Sequence, residues 1–248
     1  MAWTWYDSTI IRIEDASPNT KRFWLEVEGI DQIDFQPGQF ITMDLPIHEK
    51  RLKRWRSYSI ANRPDNSNIL ELCIVYLDGG AASKYLFEEA VIGTKIKFKG
   101  PTGVFVLPET IETDLVFICT GTGIAPFRSM ILDLHKKQTP HHHIHLIFGT
   151  RFEEGILYRL EMEELLSQMD NFQYSIALSR AEGLPTAIKN ETFYKGYVHQ
   201  IYERDYAQTR PNINFFLCGW SNMIDEASDR LINQMGYDKS QVHCELYG

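Results

Sequence analysis

Cysteine is scarce: there are four in 248 residues, and no two of them form a C-x-x-C pair. Zinc-ribbon and iron–sulfur patterns are thereby missing, and no metal site is expected. Cys73, Cys119 and Cys218 sit in apolar runs and read as reduced thiols of a cytoplasmic protein. Basic charge is also short, with 25 Lys and Arg against 33 Asp and Glu and a formal net charge of −8. That balance argues against general nucleic-acid binding. No uninterrupted apolar stretch approaches the roughly 20 residues of a membrane span. The opening MAWTWYDSTI has neither a basic n-region nor a long apolar h-region, so a secretory signal is not expected. Internal repeats and low-complexity tracts are absent too.

What is present is an ordinary globular composition, 44% hydrophobic and 23% charged, on a chain long enough for two domains. The first hundred residues are rich in short strand-forming runs at 20–27, 40–45, 56–61 and 69–77. KIKFK at 95–99 alternates strictly. Turns of Pro, Gly and Asn between them predict an antiparallel barrel or sandwich. One short helix is expected over 82–90, with Tyr85, Leu86 and Ala90 on its apolar face.

After Pro108-Glu109-Thr110 the rhythm changes. Apolar strands at 115–119, 144–148, 174–178 and 215–218 alternate with helical spacings. These are Ile124, Phe127, Ile131 and Leu134; Leu157, Leu160, Leu165 and Met169; and Ile224, Ala227, Leu231 and Met235. That alternation predicts a parallel sheet covered by helices, with ligands at the carboxyl ends of the strands. Four polar or glycine-containing junctions fall at such ends: Gly121-Thr122-Gly123, Gly149-Thr150-Arg151, Ser179-Arg180 and Cys218-Gly219. In the first, a buried run meets a two-glycine turn and a helix start, where free N–H groups favour an anion. His141-His142-His143 follows Pro140 in a solvated loop.

In the first half, Arg56-Ser57-Tyr58-Ser59 lies on a strand. Arg56 and Tyr58 share one face, while Ser57 and Ser59 share the other. An arginine beside an aromatic suits a ligand carrying both a phosphate and a flat ring. Gly79-Gly80-Ala81-Ala82-Ser83 leads into the short helix, with the Ser83 hydroxyl expected at its cap.

The ordered set Arg56-Ser57-Tyr58-Ser59, Gly80 to Ser83, Gly100-Pro101-Thr102-Gly103, GTGIAPFR at 121–128, Ser179-Arg180, Cys218-Gly219 and Glu245-Leu246-Tyr247 resembles the ferredoxin–NADP⁺ reductase family over essentially the whole chain. GTGIAPFRS and the terminal E-x-Y are the more specific parts. The resemblance implies an all-β domain followed by an α/β domain. The first is an antiparallel six-stranded β-barrel for FAD (1–108); the second is a Rossmann-like parallel sheet for NADP(H) (109–248). It implies that Arg56 pairs with the flavin pyrophosphate, Tyr58 stacks on the isoalloxazine, and Ser59 lies near N5. Ser57 belongs to the same motif. Gly80, Ala81, Ala82 and Ser83 complete the phosphate site. Thr122 and Gly123 form the nicotinamide turn. Tyr247 covers the other flavin face, and Cys218 and Glu245 sit beside the nicotinamide. Ser59, Cys218, Glu245 and Tyr247 are then the catalytic set.

Coenzyme choice turns on the adenosine 2′-phosphate. By the same resemblance Ser179, Arg180, Lys195 and Tyr197 contact it, with Thr150 and Arg151 close by, which favours NADPH. Gly196-Tyr197-Val198 also resembles NADH-using oxygenase reductases, and Glu182 would repel a phosphate. The basic run HEKRLKRWR at 48–56 offers Lys50, Arg51, Lys53 and Arg54 as a dock for an acidic ferredoxin or flavodoxin. Three departures from the family stand out: a short hairpin between Tyr76 and Ser83, which leaves FMN open; Gly248 after Tyr247; and Trp220 after Cys218-Gly219. The expected function is hydride exchange between NADPH and FAD, with single electrons passed to or from the carrier. The alternatives are an NADH-dependent reductase of an oxygenase and a flavin-binding adaptor without turnover.

Overall fold

The computed structural model describes residues 4–187 and 191–247, the last of these through its backbone alone. Contacts divide the chain into two compact units. The first runs up to Leu107 and includes Ala125–Asp133; the second comprises Pro108–Ile124 and the chain from Leu134 onward.

The first unit is an antiparallel sheet of six strands: β1 (Trp5–Ser17), β2 (Thr20–Val27), β3 (Phe40–Asp44), β4 (Trp55–Ser59), β5 (Ile69–Val75) and β6 (Lys95–Thr102). Their order is β4-β3-β6-β1-β2-β5, and a bridge between Ile60 and Leu72 joins the two outer strands. The period of two is plain in β2, where Phe23, Leu25 and Val27 are buried and alternate with Trp24 and Glu26. β6 repeats it with Ile96 and Phe98. These side chains, with Ile41, Met43, Leu70 and Leu72, form the barrel core.

β1 has no counterpart among the sequence expectations although it has 13 residues. Register shifts between Ile10 and Arg12 and between Asp15 and Ser17 break its alternation. Ser8 is buried as well, its hydroxyl donating to Ile96 O at 2.8 Å. The short helix starts earlier than expected. α1 covers Ala81–Lys84 with Gly80 at its N-cap and continues as a π-turn over Tyr85–Glu89. Leu86 and Ala90 are buried, as the apolar face requires.

The second unit alternates strand and helix: β7 (Asp114–Thr120), α2 (Ile124–Lys137), β8 (Ile144–Thr150), α3 (Arg159–Gln168), β9 (Phe172–Leu178), β10 (Thr192–Lys195), α4 (His199–Asp205), β11 (Ile213–Trp220), α5 (Ser221–Asp229) and β12 (Val242–Tyr247). All sheet pairings are parallel, in the order β10-β9-β8-β7-β11-β12. Leu115, Val116, Phe117, Ile118 and Cys119 are all fully buried, as a strand covered on both faces must be. The spacings of α2 and α5 bury Ile124, Phe127, Ile131, Ile224 and Ala227, and the π-turn Arg230–Gln234 after α5 buries Leu231.

α3 corrects its expected face. Leu157, just before the helix, Leu165 and Met169 are buried as expected, but Leu160 is 74% exposed and Met162 takes its place in the core. β10, β12 and α4 were not expected. The first two are short edge strands with mixed polarity and no apolar run to mark them. No helix among the described residues is long and apolar enough to cross a membrane.

Candidate nucleotide sites

In the barrel unit β4 pairs with β3, setting Tyr58 opposite Ile41 and Ser57 opposite Thr42. The hydroxyls of Ser57 and Thr42 lie 3.0 Å apart. Arg56 donates through Nη1 to Lys53 O (3.1 Å) and Trp55 O (2.7 Å). Among the described residues no carboxylate pairs with it, so its charge is held in place without being neutralised. Tyr58 packs at the margin of the barrel core. Burial pushes its phenol up to about 12, and the Arg56 charge pulls the other way. Ser59 is buried at the strand end.

The chain just after Ser59 is fixed by a buried ionic cluster. Glu71 accepts from Arg22 Nε at 2.7 Å and from Arg128 Nη1 at 3.0 Å. Arg128 also donates to Ala61 O at 2.7 Å, and Ser129 Oγ to Asn62 O at 2.6 Å.

Ser83 differs from expectation. It is the third residue of α1, not its cap. Its hydroxyl accepts from Leu77 N at 3.1 Å and lies 2.9 Å from Leu77 O and 3.0 Å from Gly80 O, locking the loop. Gly80 caps the turn, and Ala81, Ala82 and Ser83 open it with N–H groups that have no acceptor within the helix. The basic run is also less uniform than its sequence. Arg54 and Arg51 share Asp44, at 2.7 and 3.7 Å. Lys50 and Lys53 are exposed, and no ion pair engages them among the described residues.

In the sheet unit the strand order reverses between β7 and β11: the chain leaves β7 toward β8, β9 and β10, then returns to β11 and β12. A crevice opens at the carboxyl ends of such a pair. Two glycines bring its walls together. A Cβ on Gly123 would collide with Cys218 O. At Gly219, which has φ of 142°, a Cβ would lie 2.5 Å from Thr120 Oγ1. Thr120 Oγ1 is buried and has no hydrogen-bond partner among the described residues, an orphaned polar atom at the crevice. Thr122 stands in the 3-10 turn between the glycines.

Cys119, Cys218 and Glu245 are in register across β7, β11 and β12, which sets them on one face about 4.8 Å apart per strand. Burial raises the Glu245 carboxyl; burial and then the neighbouring Cys218 raise the Cys119 thiol. The backbone of Tyr247 pairs with Trp220 at the end of β12. The Tyr247 side chain, expected to act as a lid, lies outside the described residues.

Farther along the same edge, Ser179 N donates to Thr150 O at 3.0 Å and Arg180 N to Arg151 O at 2.9 Å. Gly196 N donates to Leu178 O at 2.9 Å, drawing Lys195 and Tyr197 to that edge. Arg151, Arg180, Lys195 and Tyr197 are all exposed, as is Glu182. No ion pair engages the three cations among the described residues. Sequence reasoning passed over Thr120; its signal was a hydroxyl set between an apolar strand and a glycine turn. It also passed over Glu71, which a single sequence does not link to Arg22 and Arg128.

The residues present fit two nucleotides. Among the described residues, the first unit offers a guanidinium without a carboxylate partner beside a tyrosine ring; the second offers an orphaned hydroxyl, a glycine-lined crevice and a row of cations without ion pairs. Such a pair of units defines an electron-transferring flavoprotein reductase. Models of two families match: the oxidoreductase FAD-binding domain over residues 7–107 and the oxidoreductase NAD-binding domain over residues 117–229.

Ferredoxin--NADP reductase B of Sorangium cellulosum (strain So ce56) is 30% identical over 243 residues, covering 98% of this chain and 97% of that protein. The phenol hydroxylase P5 protein of Acinetobacter pittii (strain PHEA-2) is 32% identical over 98% of this chain, which spans 65% of that protein. The solved ferredoxin NADP+ reductase from Neisseria gonorrhoeae with bound FAD and NADP superimposes with a TM-score of 0.79 at 24% identity, over 98% of this chain and 99% of that one. The chain belongs to the ferredoxin–NADP reductase family, and it is an oxidoreductase with FAD- and NAD(P)-binding domains.

Proposed function

We propose that the protein exchanges electrons between NADPH and a separate one-electron carrier, a ferredoxin or flavodoxin, with FAD held by residues 1–108 and NADP(H) by residues 109–248. The observation that carries the choice of NADPH is the row of Arg151, Arg180 and Lys195 beside Ser179 and Tyr197, cations without acid partners among the described residues. A dianionic 2′-phosphate calls for such donors.

FAD, when bound, supplies the exchange of a hydride for single electrons. Around it, Arg56 offsets pyrophosphate charge with the N–H groups of Ala81, Ala82 and Ser83, which Gly80 caps. Ser57 braces β4 through Thr42, Tyr58 supplies a flat face, and Ser59 offers a hydroxyl at the reacting edge. Thr122 and Gly123 form the floor for nicotinamide, with Thr150 beside Ser179 near the 2′-phosphate. Cys218 and Glu245 flank the ring. Glu245, raised by burial, holds a proton more readily than a solvated carboxyl. Tyr247 excludes water until nicotinamide arrives.

Lys50 and Lys53, with Arg51 and Arg54 partly offset by Asp44, form the rim that attracts an acidic carrier. Three fully or nearly buried thiols suit a reducing cytoplasm.

One titration tests the reading: anaerobic NADPH, then NADH, added to the pure flavoprotein while its visible spectrum is followed. Faster bleaching by NADPH is expected. The reverse order would leave the second reading, an NADH-dependent reductase of an oxygenase, which the exposed Glu182 beside Arg180 favours. No bleaching by either would leave the adaptor.

A further inference from the structure

The coenzyme edge of the sheet unit contains more acid than its exposed cations suggest, and one arginine holds it. Arg159 opens α3. Its Nε donates to Glu163 Oε1 at 3.0 Å and Glu191 Oε2 at 3.1 Å, and its Nη1 to Glu153 Oε1 at 2.7 Å. Its Nη2 reaches Glu191 and, at 3.4 Å, Thr186 O. Glu163 and Glu191 are buried; Glu153 is exposed. One side chain therefore ties the start of α3 to the loop between β9 and β10 and to the residue before β10, and it gathers three carboxylates.

This cluster lies beside the cations assigned above to the 2′-phosphate. Arg159 Cζ sits 5.0 Å from the centre of the Phe193 ring. Glu191, Phe193 and Lys195 alternate onto one face of the β10 segment, so Lys195 follows Phe193 by about 6.6 Å along the strand. Glu153 follows Arg151 by two residues, and the Arg151 carbonyl holds the Arg180 amide. Arg159 thus links the strand that carries Lys195 to the segment that carries Arg151, and the exposed Glu153 carboxylate stands two residues from that cation.

We propose that Arg159 is a positioning residue for coenzyme choice: it offsets the Glu153 carboxylate beside Arg151 and, through Glu163, Glu191 and Thr186, fixes the segments that present Arg151, Arg180 and Lys195 to a 2′-phosphate. The proposal rests on the NADPH reading. Without Arg159 the exposed Glu153 carboxylate loses its cation and faces an incoming dianion, and the loop loses its anchor at Thr186. NADH carries no 2′-phosphate and scarcely feels the change.

Calorimetric binding of adenosine 2′,5′-bisphosphate and of adenosine 5′-monophosphate to the flavin-loaded protein separates the cases, alongside KM and kcat for both coenzymes. Arg159→Ala is expected to weaken the bisphosphate at least about fivefold and the monophosphate less than about twofold, with the difference shrinking in high salt. KM for NADPH rises in parallel, while kcat with NADH is unchanged. Arg159→Lys, which keeps the charge but not the fork, retains most of the discrimination. Equal loss of both nucleotides, or no loss, overturns the proposal.

Should Arg159→Ala fail to fold, the exposed Glu153→Gln is read instead. It should tighten the bisphosphate by about twofold and leave the monophosphate alone; no change overturns the proposal. Failure of the NADPH reading is recognised separately, in the unmodified protein, as equal affinity for the two nucleotides.

Discussion

The polar residues of the barrel unit are largely occupied with one another, whereas those along the carboxyl edge of the parallel sheet are not. In the barrel, Ser83 locks its own loop, Ser57 meets Thr42, Arg56 leans on two backbone carbonyls, and Glu71 is gripped by Arg22 and Arg128. Among the described residues of the sheet, Thr120 Oγ1 has no hydrogen-bond partner, and Arg151, Arg180 and Lys195 stand exposed without acids. The first pattern fixes its polar groups before any ligand binds. The second leaves its donors open.

The titratable groups divide the same way. The one histidine of the barrel segment, His48, is exposed. In the sheet unit burial lowers His145, His199 and His243.

The largest expected effect breaks the barrel's side of this contrast. Glu71→Ala leaves two guanidiniums, one of them buried, without their shared carboxylate, and should cost about 3–5 kcal/mol in denaturant unfolding. A loss below 1 kcal/mol would mean that the cluster is solvated. Acid should next strike the sheet alone. His145 is held neutral between Tyr206 Oη and Ser175 Oγ, each at 2.8 Å, and burial lowers it to about 3. A depressed histidine contributes stability above pH 6.5 that is lost as pH falls toward 3. The loss reaches about 2–3 kcal/mol near pH 4.5. Hydrogen exchange should show β8 and β9 losing protection between pH 7 and 4.5 while β2 and β6 keep theirs.

A smaller change, Gly123→Ala, forces the turn away from Cys218 O. It should cost about 1–3 kcal/mol of stability and at least about tenfold in kcat/KM for NADPH; flavin content should stay full. Smallest of all, Arg180→Ala should lower the NADPH-to-NADH ratio of kcat/KM by about fivefold, since an exposed charge-assisted contact contributes about 1 kcal/mol. An unchanged ratio would remove Arg180 from the 2′-phosphate site.

Legibility followed the same division. Strands whose two faces share one environment announced themselves: β7 is apolar throughout, and its expected core at 115–119 lies inside Asp114–Thr120. Elements with irregular register or a wet face did not. β1 carries two register shifts and a buried serine, β12 is an edge, and α3 offers Leu160 to solvent. Residues tied to a local turn, such as Gly121, Thr122 and Gly123, could be singled out from the chain. Partners far apart in sequence, such as Arg22, Glu71 and Arg128, could not.

By itself the sequence determined the change from strand-and-turn to alternating strand and helix, the parallel sheet's apolar interior, and the glycine turn after β7. Each depends on side-chain period and backbone freedom within a few residues. The tertiary structure alone decided that Cys218 stands in register with Glu245, that the Thr120 hydroxyl is buried without a hydrogen-bond partner among the described residues, and that Arg159 gathers acids from positions 153, 163 and 191. Those outcomes depend on distances between segments, which the order of residues along a chain does not contain.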